Sequence, residues 1–151
     1  MSQNLKEKSL LPDAQTTPAA GGATGDGLDE RILMALRAAA EKKALDLVVL
    51  DLRPVASFTD FFVITSGTNR RQVQAISDGV VEHLKKNGTR AARVEGYQTA
   101  EWILVDYGDF ILHVFDEKAR RFYDLERLWR EAVRVEVPPD KIGAVGSLRE
   151  K

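Results

Sequence analysis

The chain contains no cysteine, which removes disulfides, thiolate zinc sites and a catalytic thiol together. It has no apolar run approaching the roughly 18 residues of a membrane-spanning helix, so no membrane association is expected. It also lacks a charge excess: 22 Lys and Arg stand against 23 Asp and Glu, a formal net charge of -1. A general nucleic-acid binder should carry a clear basic surplus, so direct sequence-specific nucleic-acid recognition is not expected. Residues 1–27 hold only three leucines and no aromatic residue, with Pro12, Pro18, Gly21, Gly22, Gly25 and Gly27 between them. So little apolar surface cannot offset the entropy of ordering, and the segment reads as a disordered tail. It also lacks the apolar stretch of a signal peptide, so a cytoplasmic protein is expected.

The remainder of the 151 residues is richer. Residues 28–134 form one expected domain, and 135–151, with Pro138, Pro139, Gly143 and Gly146, read as a flexible C-terminal tail. A domain of that size can bury something over ~60% of its unfolded surface. Its periodicities alternate. Residues 29–43 place Ile32, Leu36, Ala39 and Ala40 on one helical face. Asp46–Asp51 and Phe61–Ile64 read as buried strands. Thr68 or Asn69 can cap a helix carrying the stripe Val73, Ile76, Val80 and Leu84, with Gly88 as its stop. Strands follow near Ala92–Glu95, Trp102–Asp106 and Phe110–Phe115, the last two joined by a turn at Tyr107-Gly108. Leu125, Leu128, Trp129 and Ala132, at i, i+3, i+4 and i+7, predict a closing helix. The order αββαβββα implies an α/β fold: a mixed five-stranded sheet with flanking helices.

Enzymatic chemistry finds little support in these residues. Ser66-Gly67-Thr68-Asn69, between a strand and a helix and followed by Arg70 and Arg71, occupies a position where backbone N–H groups can attract anions. It matches neither a Walker loop nor a dinucleotide fingerprint, and an ordinary turn and cap is the simpler reading. A nucleotide-binding protein or nucleotidyltransferase using Ser66–Arg71 is the enzyme-class alternative. Asp124 and Glu126 have the spacing of a metal-binding carboxylate pair but open a helix rather than sharing a strand face. His83 and His113 lack partners at ligand spacing, and Ser57 has no recognisable base. No cofactor and no metal are expected.

A different signal stands out. Val94 to Glu117 contains six acids (Glu95, Glu101, Asp106, Asp109, Asp116 and Glu117) and no Lys or Arg, inside a domain with seventeen charges of each sign. Strand alternation sets Trp102, Leu104 and Asp106 on one face, with Ile103 and Val105 on the other. Both faces are apolar, so both need cover. Either helices cover both and Trp102 is core, or the Trp102 face awaits another protein, with the acidic rim selecting a basic one.

The chain resembles the Iojap-like ribosomal silencing factors from about Ile32 to Trp129. The matching stretches are Asp51-Leu52, Ser57 to Thr68, Arg71-Gln72-Val73, Glu95-Gly96, Ala100 to Asp109, His113-Val114 and Arg120 to Trp129. Each is short, but their order and spacing are specific together. The resemblance implies a nucleotidyltransferase-like fold without the catalytic motif. It implies binding to the large ribosomal subunit through the fourteenth large-subunit protein on the intersubunit face, a steric block to subunit joining, and repression of translation. Relatives in organelles act as ribosome assembly factors, a second implied role. A homodimer when free is also implied. Trp102 matches the family's partner-facing tryptophan; Glu95, Tyr97, Glu101, Leu104, Asp106 and Asp109 join it as candidate contacts by proximity and charge.

Overall fold

A computed structural model describes residues 28–137 and residue 139; the expected N-terminal tail and most of the expected C-terminal tail lie outside the described residues. The first helix, α1 (Glu30–Glu41), starts where the Asp29 side chain accepts from the Arg31 amide. Then come β1 (Leu45–Asp51), β2 (Phe61–Gly67) and α2 (Arg70–Lys86). Asn69 is the N-cap of α2, accepting from the Gln72 amide, and Gly88 lies beyond its end at φ +93. The sequence placed both signals correctly. Next are β3 (Arg93–Glu95), β4 (Trp102–Asp106), β5 (Phe110–Asp116), α3 (Glu117–Tyr123), α4 (Leu125–Leu128) and β6 (Val133–Val135).

The sheet has six strands, not the five expected, in the order β3-β4-β5-β2-β1-β6. The β2–β5 pair is parallel and the other neighbours are antiparallel. The sixth strand carries a short alternation, Val133-Arg134-Val135-Glu136-Val137, but it straddles the domain end expected at residue 134; it joins the sheet by pairing with Val49–Asp51. Its last residue, Val135, is 4% exposed. The closing helix is also corrected. It is only the four-residue α4, capped at Trp129 so that Ala132 lies beyond it, and a further helix, α3, precedes it across Asp124, whose backbone is left-handed (φ 48). Asp adopts that conformation more readily than most residues. α3 escaped notice because Ala119 is its one buried residue, leaving no apolar stripe to read. Leu128, placed on the expected buried stripe, is instead 68% exposed.

The two faces of the sheet are covered unequally. Val49, Val63, Ile103, Val105, Leu112 and Val114 pack beneath α1 and α2, with Ile32, Leu36, Val73, Ile76, Val80 and Leu84. Each such aliphatic side chain contributes about 1.5–3 kcal/mol by leaving water. The opposite face carries Val48, Leu50, Phe62, Ile64, Ile111 and Phe115, with Ala119 and Leu125 from the two short helices packed on it. Trp102 and Leu104 reach this second cluster but remain partly exposed. Two short helices leave an opening at the β4 side.

Candidate functional site

Trp102 lies opposite Phe115 in the β4–β5 ladder, and Leu104 lies opposite His113. Paired residues share a face, so the indole is a diagonal neighbour of the imidazole, within reach of aromatic side chains. Trp102 Nε1 donates to His113 Nδ1 at 3.0 Å. The indole also meets Tyr123 at 4.7 Å and Phe115 at 5.0 Å between ring centroids. It is half-buried, neither an ordinary core residue nor a free surface ring. His113 is buried, and burial pushes its pKa down to about 3. The ring is therefore neutral at physiological pH, and the bond at Nδ1 assigns its proton to Nε2.

Four of the seven candidate contacts share this face. Glu95 pairs with Leu104 across the β3–β4 ladder, so Trp102, Leu104, Asp106 and Glu95 point the same way. Glu101 is exposed and immediately precedes Trp102. Tyr97 packs on the cluster beneath α1 and α2, with its hydroxyl donating to Asp78 Oδ2 at 2.9 Å. Asp109 lies beyond the far end of β4, in the β4–β5 turn, where it accepts from Arg31 at 2.7 Å. The acidic rim is also less bare than the sequence suggests. Arg93, one residue before the acidic run begins, pairs with Glu95 at 2.7 Å and Asp106 at 3.2 Å. Asp106 further accepts from the Gly108 amide, so turn geometry explains part of its presence.

Sequence reasoning passed over the apolar residues that border Trp102. Phe122 is 78% exposed, and Tyr123 and Phe58 are also exposed. Ring contacts run from Phe58 through Trp129, Phe62 and His113 to Trp102, then to Tyr123 and Phe122. The usable signal was Phe122-Tyr123 just before the Asp124 break, where a helical period does not bury them. The exposed rings stand at the two ends of this chain, Phe58 at one and Tyr123 and Phe122 at the other, with Phe62 and His113 buried between them.

The Ser66–Arg71 loop is closed on itself. Thr68 donates through its amide (2.7 Å) and hydroxyl (3.0 Å) to Gln72 Oε1. The Gln72 amide donates to Asn69 Oδ1 at 2.8 Å, and its side-chain amide donates to the carbonyls of Lys42 and Lys43 at the end of α1. The Thr68 and Gln72 amides are thus used within the protein. Beside the buried Ser66 lies a cavity of about 390 Å³, lined by Asp46, Glu117 and Glu126 as well as Arg120, Arg121 and Arg134. Arg120 is bound to Glu126 at 2.9 Å. Three acids offset three arginines, a lining poorly suited to a polyphosphate. Among the described residues, no group of three or more His, Asp or Glu could hold a metal ion. None of their helices is long and apolar enough to cross a membrane.

Fold and face together define a mixed α/β domain with one sheet face bordered by exposed aromatic rings. A family model described as ribosomal silencing factor during starvation matches residues 26–149, and the chain belongs to that family. It is 38% identical over 108 residues to ribosomal silencing factor RsfS of Halalkalibacterium halodurans, covering 72% of this chain and 92% of that protein. It is also 31% identical over 126 residues to the mouse protein named mitochondrial assembly of ribosomal large subunit protein 1, covering 82% of this chain and 54% of that protein. A crystal structure of a Chromobacterium violaceum protein superimposes with a TM-score of 0.66 at 32% identity, covering 80% of this chain and 94% of that one.

Proposed function

We propose that the chain silences ribosomes by binding the large subunit through its Trp102 face and obstructing the joining of the small subunit. The carrying observation is the half-buried indole of Trp102, held by His113 and bordered by the exposed rings of Tyr123 and Phe122. Tryptophan in a preorganised, partly desolvated setting is the residue type that most often anchors a protein interface. The partner is the fourteenth large-subunit protein, reached from the intersubunit side in the cytoplasm, and a homodimer is the free form. Glu95, Glu101 and Asp106 at the border favour a basic partner and act on encounter more than on final affinity. Obstruction needs affinity and bulk but no turnover, which suits a face without catalytic groups.

Adding stoichiometric protein to purified large and small subunits should reduce the joined-ribosome peak in a sucrose gradient and carry the protein into the large-subunit fraction. A protein that remains at the top of the gradient while subunits join normally would contradict the proposal. The mouse relative's name favours a related role in large-subunit assembly, which would use the same contact at an earlier stage.

A further inference from the structure

His113 is a polar side chain in an apolar place. It is 3% exposed and stands edge-on to Phe62, with ring centroids 4.3 Å apart. Nδ1 is occupied by the indole N–H, and Nε2 has no hydrogen-bond partner among the described residues. A buried N–H without an acceptor is unfavourable. A leucine of similar volume would avoid that cost, so packing alone does not account for the imidazole. What histidine adds is an acceptor at Nδ1.

That acceptor meets a specific need. Phe115 and Tyr123 contact the Trp102 ring at interplanar angles of 32° and 46°, which constrain its tilt. Ring contacts alone do not choose which edge points inward, whereas a hydrogen bond to the single indole N–H does. We propose that His113 is the positioning residue for Trp102: its Nδ1 draws the indole N–H inward and so sets which edge of the ring the sheet face presents to a partner. This role rests on the reading that Trp102 anchors the ribosomal partner. Burial keeps His113 neutral, so Nδ1 remains an acceptor at physiological pH.

Two substitutions separate positioning from packing. His113→Leu keeps the volume and removes the acceptor. His113→Asn brings an amide oxygen near the Nδ1 position and loses the ring. The readouts are the indole ¹H–¹⁵N signal of Trp102 in the free, full-length protein and the affinity for purified large subunits. The chain has two tryptophans, and loss of one signal in Trp102→Phe assigns it. His113→Leu should move the Trp102 indole proton upfield and weaken subunit binding by roughly tenfold or more, the loss of about one hydrogen bond to a fixed geometry. His113→Asn should melt at a lower temperature, yet retain the indole signal and bind within roughly threefold of the parent. An unmoved indole signal in His113→Leu would overturn the proposal. So would His113→Leu binding as tightly as the parent while Trp102→Ala does not. A moved signal with normal binding in both His113→Leu and Trp102→Ala would overturn the docking reading instead, leaving the positioning contact intact.

Discussion

Gly96 packs so closely on Trp102 that a Cβ placed on the glycine would run into the Trp102 carbonyl oxygen. The backbone of Gly96 is left-handed as well, at φ +82. Gly96→Ala should therefore destabilise by about 2–3 kcal/mol, combining backbone strain with displacement of the first residue of β4. Gly108 is the internal control: its φ is +85, but nothing lies within 4 Å of its missing Cβ. Gly108→Ala should cost only the strain, about 1 kcal/mol. Urea unfolding of both variants tests the contrast, and equal losses would contradict it.

Gln72 joins the start of α2 to the end of α1 through four hydrogen bonds of its side chain, two to Thr68 and two to the carbonyls of Lys42 and Lys43. Gln72→Ala should lower stability by about 1–2 kcal/mol, the sum of small net hydrogen-bond losses. The same bonds occupy the loop that a nucleotide would need. Millimolar ATP or GTP with magnesium should leave the parent's thermal midpoint unchanged. A ligand with a Kd near 10 μM would add about 2.7 kcal/mol at 1 mM, so a shift of several degrees would revive the nucleotide reading.

Acid stability should carry the signature of His113. Its folded pKa of about 3 lies below the ordinary 6.5 because burial disfavours the charged ring. Between those values the unfolded chain binds a proton that the native protein does not. The native state therefore loses stability as pH falls through that window, by up to about 1.4 kcal/mol per pH unit. His113→Leu lacks this contribution. Its unfolding free energy from pH 6 to pH 4 should fall less steeply than the parent's, and parallel curves would contradict the assignment.

The parts of the fold legible in the sequence are those with strong local signals. The α2 stripe of Val73, Ile76, Val80 and Leu84 is buried as its 3.6-residue period requires, and the cap and stop signals at Asn69 and Gly88 fall where they should. β6 is harder to place, because the alternation Val133-Arg134-Val135 is short and its edge position comes from Val49–Asp51, far away in sequence. The candidate site divides for the same reason. Alternation along β4 groups Trp102, Leu104 and Asp106 correctly, since it is local. His113 becomes Trp102's partner only through the β4–β5 register, which local periodicity does not specify. Tyr97 and Asp109 are neighbours of the strand in sequence, but one packs on the opposite face and the other lies in the turn beyond its far end.

The most direct test is the affinity of Trp102→Ala for purified large ribosomal subunits, measured by co-sedimentation with the folded fraction fixed by far-UV circular dichroism. The indole is half-buried, so its removal should cost about 1–3 kcal/mol of stability, less than the 3–5 kcal/mol of a fully buried tryptophan, and the variant should remain folded. Loss of a central anchor should weaken binding by about 2–4 kcal/mol, roughly 30- to 1,000-fold. A folded Trp102→Ala protein that co-sediments with large subunits as tightly as the parent would contradict the assignment of this face as the ribosome-docking surface.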